Sequence, residues 1–245
     1  MFGALYDRLF EGHRLIDCRA EGSVPRVDIV LTMSDKSTSV VRIGSAALES
    51  TLLDRVASLG KSLPTKGNAR HNAGDVGNMY ALGYRSIERG ELYAPTKDPM
   101  IAGAMTMAAT AAGHYMRKCW PVEYADIRKA DLAKSAKLKP LKEMGGTNGP
   151  GNVIMISRNL GNSAHVDCAD KSRSCGIWVE ERPGNAKNWF FILPDASIER
   201  STGVVIQLFH GAVITWDGTK IRHCTSITKP GEKNNVYGCM FGSCR

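Results

Sequence analysis

The sequence predicts an α+β fold: a double-sheet jelly roll in the C-terminal half, flanked by N-terminal strands and helices. Three observations predict it. Eight short β-like runs follow one another between residues 152 and 241, separated by Pro, Gly and Asn turns. Two stretches opened by proline, at Pro99 and Pro121, carry apolar residues at helical spacing. Between these regions, Gly145-Gly-Thr-Asn-Gly-Pro-Gly151 is the strongest break in the chain.

The first half supplies its elements in order. Arg26–Met33 and Ser39–Gly44 read as two strands around a polar turn, after a weakly patterned stretch of residues 1–25. Ser45 is placed to cap a helix that carries Leu48, Leu52, Leu53, Val56 and Leu59 and stops at Gly60. Residues 61–97, rich in Gly, Asn, Lys and Arg, read as a long loop, either solvated or contacting nucleic acid through Lys66, Arg70, His71 and Arg85. Thr96 or Asp98 caps a helix from Pro99 to about Lys118, whose methionines read as core. A further helix runs from Pro121 to about Lys137. With the tail behind it, it carries Arg128, Lys129, Lys134, Lys137 and Lys139, a solvated face or a phosphate-binding patch.

In the second half, the runs are Asn152–Ser157, His165–Asp167, Cys175–Glu181, Asn188–Leu193, Val204–Phe209, Ala212–Trp216, Arg222–Ile227 and Asn234–Phe241. The glycine-rich break before them is not a phosphate loop, because no Gly-Lys-Ser/Thr follows it. The whole chain reads as one domain, 1–245, in which residues 1–145 support a β core formed by 146–245.

Composition bounds the function. The chain has 245 residues, 43% hydrophobic and 23% charged, as in an ordinary folded domain. Its net charge of +8 favours an anionic partner, nucleic acid first. Seven cysteines without a CxxC pair argue against a disulfide scaffold and for a reduced, intracellular setting. The N-terminus is too polar for a signal peptide. The apolar run Met100–Gly113 falls short of the ~20 residues a membrane span needs.

The chemistry concentrates at His165 and Asp167. Residues two apart on a strand share a face, so an imidazole and a carboxylate project together. They are two members of a 2-His-1-carboxylate set, which holds Fe(II) and leaves positions open for O2 and a co-substrate. His210 and His223 are the candidates for the third ligand. His223, 58 residues after His165, sits where a late strand of a rolled sheet returns beside the first pair, and it is the choice here. A zinc site drawing on Cys168, Cys175, Cys224 and Cys239 is a rival, but the spacings match no common zinc pair.

His165-Val-Asp-Cys-Ala-Asp170, Trp189-Phe-Phe191, the Gly203–Leu208 strand and Trp216-Asp-Gly-Thr-Lys-Ile-Arg-His-Cys-Thr225 together resemble the Fe(II)-dependent double-stranded β-helix dioxygenases. Within them, the TET/JBP-like group is the most similar, in its algal and transposon-associated forms. The resemblance covers about residues 152–243. It implies a double-stranded β-helix core, Fe(II) held by His165, Asp167 and His223, and 2-oxoglutarate with O2 as co-substrates. It implies oxidation of 5-methylcytosine or thymine in nucleic acid, DNA before RNA. No catalytic residue is implied beyond the metal ligands. Lys233, ten residues after His223, stands where the family places the basic partner of the co-substrate carboxylate, with Lys229 as the other candidate. The family typically has arginine there, and lysine keeps the charge without the bidentate fork. Asp170 adds a second acid near the metal, which suits ascorbate, the co-substrate of an algal relative. A flipped base needs a stacking surface, and Trp178, Trp189, Phe190 and Trp216 are candidates for it or for plain core. The expected protein is a monomer without membrane contact, nuclear if eukaryotic. The alternatives are a related dioxygenase acting on protein or a small molecule, and a non-catalytic basic jelly roll that binds nucleic acid.

Overall fold

The eight β-like runs roll into two facing sheets. In the computed structural model the described residues are 13–17, 29–32, 40–64, 76–86, 90–135, 149–167, 173–184, 189–196, 203–226 and 234–243. The strands are β1 (His13–Asp17), β2 (Ile29–Thr32), β3 (Val40–Ser45), β4 (Val76–Ser86), β5 (Glu91–Leu92) and β6 (Val153–Gly161). They continue as β7 (Ser174–Glu180), β8 (Phe190–Leu193), β9 (Gly203–Gln207), β10 (Ala212–Trp216), β11 (Cys224–Ser226) and β12 (Val236–Gly242). The helices are α1 (Ser50–Ser62), α2 (Pro99–Cys119) and α3 (Pro121–Ser135).

The large sheet has the order β2-β3-β10-β7-β12-β6-β4-β5, and the small one β1-β9-β8-β11. From β6 onward the chain passes between them repeatedly. β8 and β9 leave the large sheet, β10 returns to it, β11 crosses again and β12 closes between β6 and β7. His165 and His223 form an isolated antiparallel bridge that extends the small sheet beyond β11. This alternation is a double-stranded β-helix, a jelly roll in which antiparallel pairs wind together.

Strand parity sorts the apolar residues into two cores. Tyr237, Cys239 and Phe241 of β12 point to the helices, where they meet Leu52, Val56, Leu59, Met105 and Met116. Val236 and Met240 point the other way, into the roll with Trp178, Phe191, Ile206, Ile214 and Trp216. Helices, large sheet and small sheet therefore form three layers with a core at each contact. Among the described residues, no helix is long and apolar enough to cross a membrane.

Trp178 fills the roll. A Cβ on Gly176 would strike its ring, and one on Gly238 would lie 3.0 Å from its Nε1, so two glycines on neighbouring strands make its seat. Trp178→Ala leaves that seat empty and is expected to lower stability by about 3–5 kcal/mol. Urea unfolding checks it: the midpoint falls while the slope is unchanged.

Several expectations are corrected. Residues 61–97 are not one long loop: they hold the end of α1, the 11-residue β4, β5 and a 3-10 turn, Ala94–Lys97. Gly77 and Gly83, within the stretch read as a loop, have φ of 81° and 90° and lie against the carbonyls of Asn159 in β6 and of Asn152 just before it, which a side chain would strike. The first helix begins at Ser50, not behind Ser45, whose Oγ accepts from the Ala47 N–H in a turn (3.2 Å). Leu48 is exposed in that turn. Gly60 does not end the helix; it lies within it because the Tyr237 ring rests there. Asp98 is the cap of α2, accepting from the Met100 and Ile101 N–H groups at 2.8 and 3.3 Å. Thr96 instead accepts from the Gly83 N–H at 2.8 Å, tying the turn to β4. Met105 and Met116 are core, whereas Met100 and Met107 are exposed. The short strand β1, pairing in parallel with β9, lies inside the stretch with no clear pattern.

Candidate metal centre

Backbone pairing builds the site. His165 and His223 exchange both of their N–H···O bonds, at 3.0 and 2.9 Å. Opposite residues of an antiparallel pair share a face, so the two imidazoles stand side by side with ring centroids 4.7 Å apart. Asp167 follows two residues on, and its N–H donates to the Gly218 carbonyl at 2.7 Å. Its carboxylate spans the pair, with Oδ1 3.5 Å from His165 Nε2 and Oδ2 3.3 Å from His223 Nε2. One ligand atom from each of the three residues lies within 4.8 Å of the others.

Both rings are oriented by their own chain. His165 Nδ1 lies 2.9 Å from the Ser163 carbonyl, and His223 Nδ1 lies 2.9 Å from the Ile221 carbonyl. A carbonyl only accepts, so Nδ1 carries the proton in each ring and Nε2 turns toward Asp167. Backbone carbonyls on the far nitrogen are the usual support of metal-binding histidines. Burial works against ionisation of Asp167, but His165 and His223 outweigh it: when the rings are protonated on Nε2 as well, each donates to the carboxylate and faces it with a positive charge. The carboxyl is held well below the usual carboxylate range. In a facial site with metal–ligand bonds of ~2.1 Å, neighbouring donors lie about 3 Å apart. The cluster fits such an ion with a small closure.

A cavity of about 120 Å³ adjoins the three side chains between the sheets. Cross-strand register ranks its inward residues. Trp216 pairs with Ser174, and Gly242 with Val153; Met240, Met155 and Ala81 form the next row. On the small sheet, Thr225 stands opposite Phe191. Phe191 stacks on His223 at 5.7 Å with an interplanar angle of 27°, and Trp216 meets the same ring edge-on at 5.1 Å. Asn162 accepts from the Thr225 N–H at 2.8 Å, which extends the pairing that carries the histidines. Among the described residues lining the cavity, none is Lys or Arg.

The structure brings His165, Asp167 and His223 together and leaves His210 out. His210 Nδ1 lies 3.2 Å from the Glu180 backbone, at the opposite end of β7 from Ser174. Of the stacking candidates, Trp216 lines the cavity. Trp178 and Trp189 are core, and Phe190 faces away from the roll, in a cluster with Ile192 and Val205. Phe191, one residue on, is the ring at the site; strict alternation along β8 selects it once either neighbour is placed. Asn162, Ser174 and Met240 carry no sequence signal of their own, and Gly218 shows only as part of the segment Trp216–Thr225. Cys175 and Cys239 are buried among apolar side chains of the helix-facing core, where burial pushes both thiols up, and neither joins the cluster. Arg128 donates to the Gly149 carbonyl at 3.2 Å, and Arg85 pairs with Glu91 at 3.4 Å. Lys129 and Lys134 fall within α3, with side chains outside the described set. Lys66, Arg70, His71, Lys137, Lys139, Asp170, Lys229 and Lys233 lie outside the described residues.

No protein-family model matches the sequence, and no curated protein does. Solved structures do. NgTET1 in complex with 5mC DNA superposes with a TM-score of 0.56 at 11% identity, over 99% of this chain and 90% of that one. An oxidoreductase of the 2OG-Fe(II) oxygenase family from Burkholderia pseudomallei aligns with a TM-score of 0.41 at 15% identity, over 84% of this chain and 87% of that one. At its identity the first likeness bears on the fold, and it agrees with the strand order: the chain is built on a double-stranded β-helix.

Proposed function

We propose that this protein is an Fe(II)- and 2-oxoglutarate-dependent dioxygenase that oxidises a methylated pyrimidine, 5-methylcytosine or thymine, in nucleic acid. One observation carries the reading: two imidazoles and a carboxylate converge with both Nδ1 atoms committed to backbone carbonyls, so that both Nε2 atoms point at the shared carboxylate, where one ion could join all three. Bound iron supplies the activation of O2 and, with 2-oxoglutarate as reductant, hydroxylation of an unactivated C–H bond.

The chain's own residues do the rest. His165, Asp167 and His223 would hold the ion, beside the cavity between the sheets. Phe191 and Trp216, both buried, exclude water from the His223 side. Lys233, with Lys229 as the alternative, takes the far carboxylate of the co-substrate. A base in a duplex must be flipped out to reach the ion. The net charge of +8 draws the phosphate backbone. Arg70, His71, Arg128, Lys129, Lys134, Lys137 and Lys139 are the proposed contacts. The structural neighbour NgTET1 in complex with 5mC DNA supports the choice of base and of DNA.

A second reading takes ascorbate in place of 2-oxoglutarate. Its support is a second acid close in sequence to Asp167. Asp170, three residues after Asp167, is then the acceptor for the hydroxyls.

The test is anaerobically loaded Fe(II) protein given O2, methylated DNA and either co-substrate, with nucleosides read by mass spectrometry. A modified nucleoside with 2-oxoglutarate is expected, and Lys233→Ala raises KM for 2-oxoglutarate. Product with ascorbate alone moves the assignment to the second reading. No modified nucleoside with either sinks the substrate assignment, and absence of succinate as well sinks the 2-oxoglutarate assignment.

A further inference from the structure

Trp216 carries the one indole donor beside the candidate metal centre, and nothing among the described residues accepts from it. Its side chain is 1% exposed, and Nε1 is buried without a hydrogen-bond partner. A buried N–H left unpaired is costly, and such groups in a cavity wall generally meet an acceptor in the working state. Gly218 shows where the acceptor is. The position a Cβ on Gly218 would occupy lies 3.2 Å from Trp216 Nε1 and 2.5 Å from Asp167 Oδ2. Indole and carboxylate thus converge on one small gap that only glycine leaves open.

Each oxygen of Asp167 faces one imidazole, Oδ1 that of His165 and Oδ2 that of His223. An ion between the rings takes both Nε2 atoms, and a carboxylate that binds it through one oxygen loses its imidazole partner on the other. One acceptor is released where one donor stands unpaired. We infer that Trp216 is a positioning residue: on metal binding its Nε1–H donates to the oxygen of Asp167 that does not hold the ion. The inference rests on the metal-site reading. It also accounts for the tryptophan at the end of β10, where Phe191 and His223 already supply apolar packing and where a phenyl ring would fill much of the same space.

Zn(II), a diamagnetic probe, tests it in the full chain by two readouts. Trp216→Phe keeps an aromatic ring and removes the donor. Its Zn(II) affinity is expected to fall about 10- to 100-fold, as for other outer partners of metal ligands, with the melting temperature of the metal-free protein little changed. In 15N–1H spectra of the wild type, the Trp216 indole signal, assigned by its loss in the variant, is expected to move downfield on saturation. The Trp120 and Trp189 signals stay in place. If Trp216→Phe does not fold, the wild-type indole shift decides alone. Zn(II) binding with an unmoved Trp216 signal, or with affinity unchanged in a folded Trp216→Phe, overturns this inference and leaves the metal site standing. A wild type that binds no Zn(II) overturns the metal-site reading itself.

Discussion

Asp167→Asn lowers divalent-metal affinity by at least ~100-fold and abolishes turnover, and the protein stays folded. The size follows from what the carboxylate contributes. It is the only anionic donor in the cluster, held ionised by His165 and His223 against the cost of burial. An amide of the same shape brings neither charge nor an equivalent donor atom, so the two imidazoles alone must hold the ion. Outer partners of metal ligands already account for about 10- to 100-fold in affinity, and a charged ligand accounts for more. The fold is spared because the Asp167 main chain, not its side chain, closes the loop onto the Gly218 carbonyl, and because the histidine bridge is a backbone pair. Anaerobic Fe(II) titration and thermal unfolding, run side by side, check both halves. Unchanged Fe(II) affinity in a folded variant would remove Asp167 from the site. His210→Ala is the matched control, since that ring lies against Glu180 at the far end of β7, and it is expected to leave metal binding intact.

The C-terminal half was legible because its signals are local. Short β-like runs separated by Pro, Gly or Asn turns need no tertiary knowledge, and each run has its strand or bridge. The spacing of His165 and Asp167 is likewise local. The choice of His223 over His210 needed the topology, because it depends on which strand comes back beside the first pair. The N-terminal half was harder for a physical reason. β4 faces the helices with Tyr80 and Leu82 and the cavity with Met79 and Ala81, and two of its positions are glycines at positive φ packed on β6. Asn and Gly that read as loop are there the price of close backbone contact. Gly60 misled in the same way: it marks a seat for Tyr237, which only the folded chain shows. Phe190 is the stacking candidate of β8 in the sequence and Phe191 is the ring at the site, because the parity of β8 is set by its neighbours and not by its own residues.

Gly218→Ala is expected to damage the site nearly as much as loss of a ligand, although Gly218 touches no metal. The methyl group would stand 2.5 Å from Asp167 Oδ2 and 3.2 Å from Trp216 Nε1, inside contact distance of the carboxylate. Backbone and side chain cannot both give way. The Gly218 carbonyl accepts the Asp167 N–H at 2.7 Å, and the turn that carries it is held by Asp217, whose carbonyl accepts from the Lys220 and Ile221 N–H groups. Asp217 Oδ1 also accepts from the Thr219 hydroxyl and N–H, at 2.6 and 3.1 Å. The softer response is rotation of the Asp167 carboxylate away from His223, which spoils the facial arrangement. Metal affinity then falls by about 10- to 100-fold, the range seen when a ligand loses its orientation. Stability falls by only about 1–3 kcal/mol, as for an overpacked buried position. Gly103→Ala is the control for the substitution itself. Gly103 is exposed within α2, a Cβ there meets nothing within 4 Å, and the change is expected to stabilise by about 0.5–1 kcal/mol. Metal titration and urea unfolding of the two variants separate the cases. A Gly218→Ala protein that binds Fe(II) like the wild type would mean that the gap between Asp167 and Trp216 has no part in shaping the site.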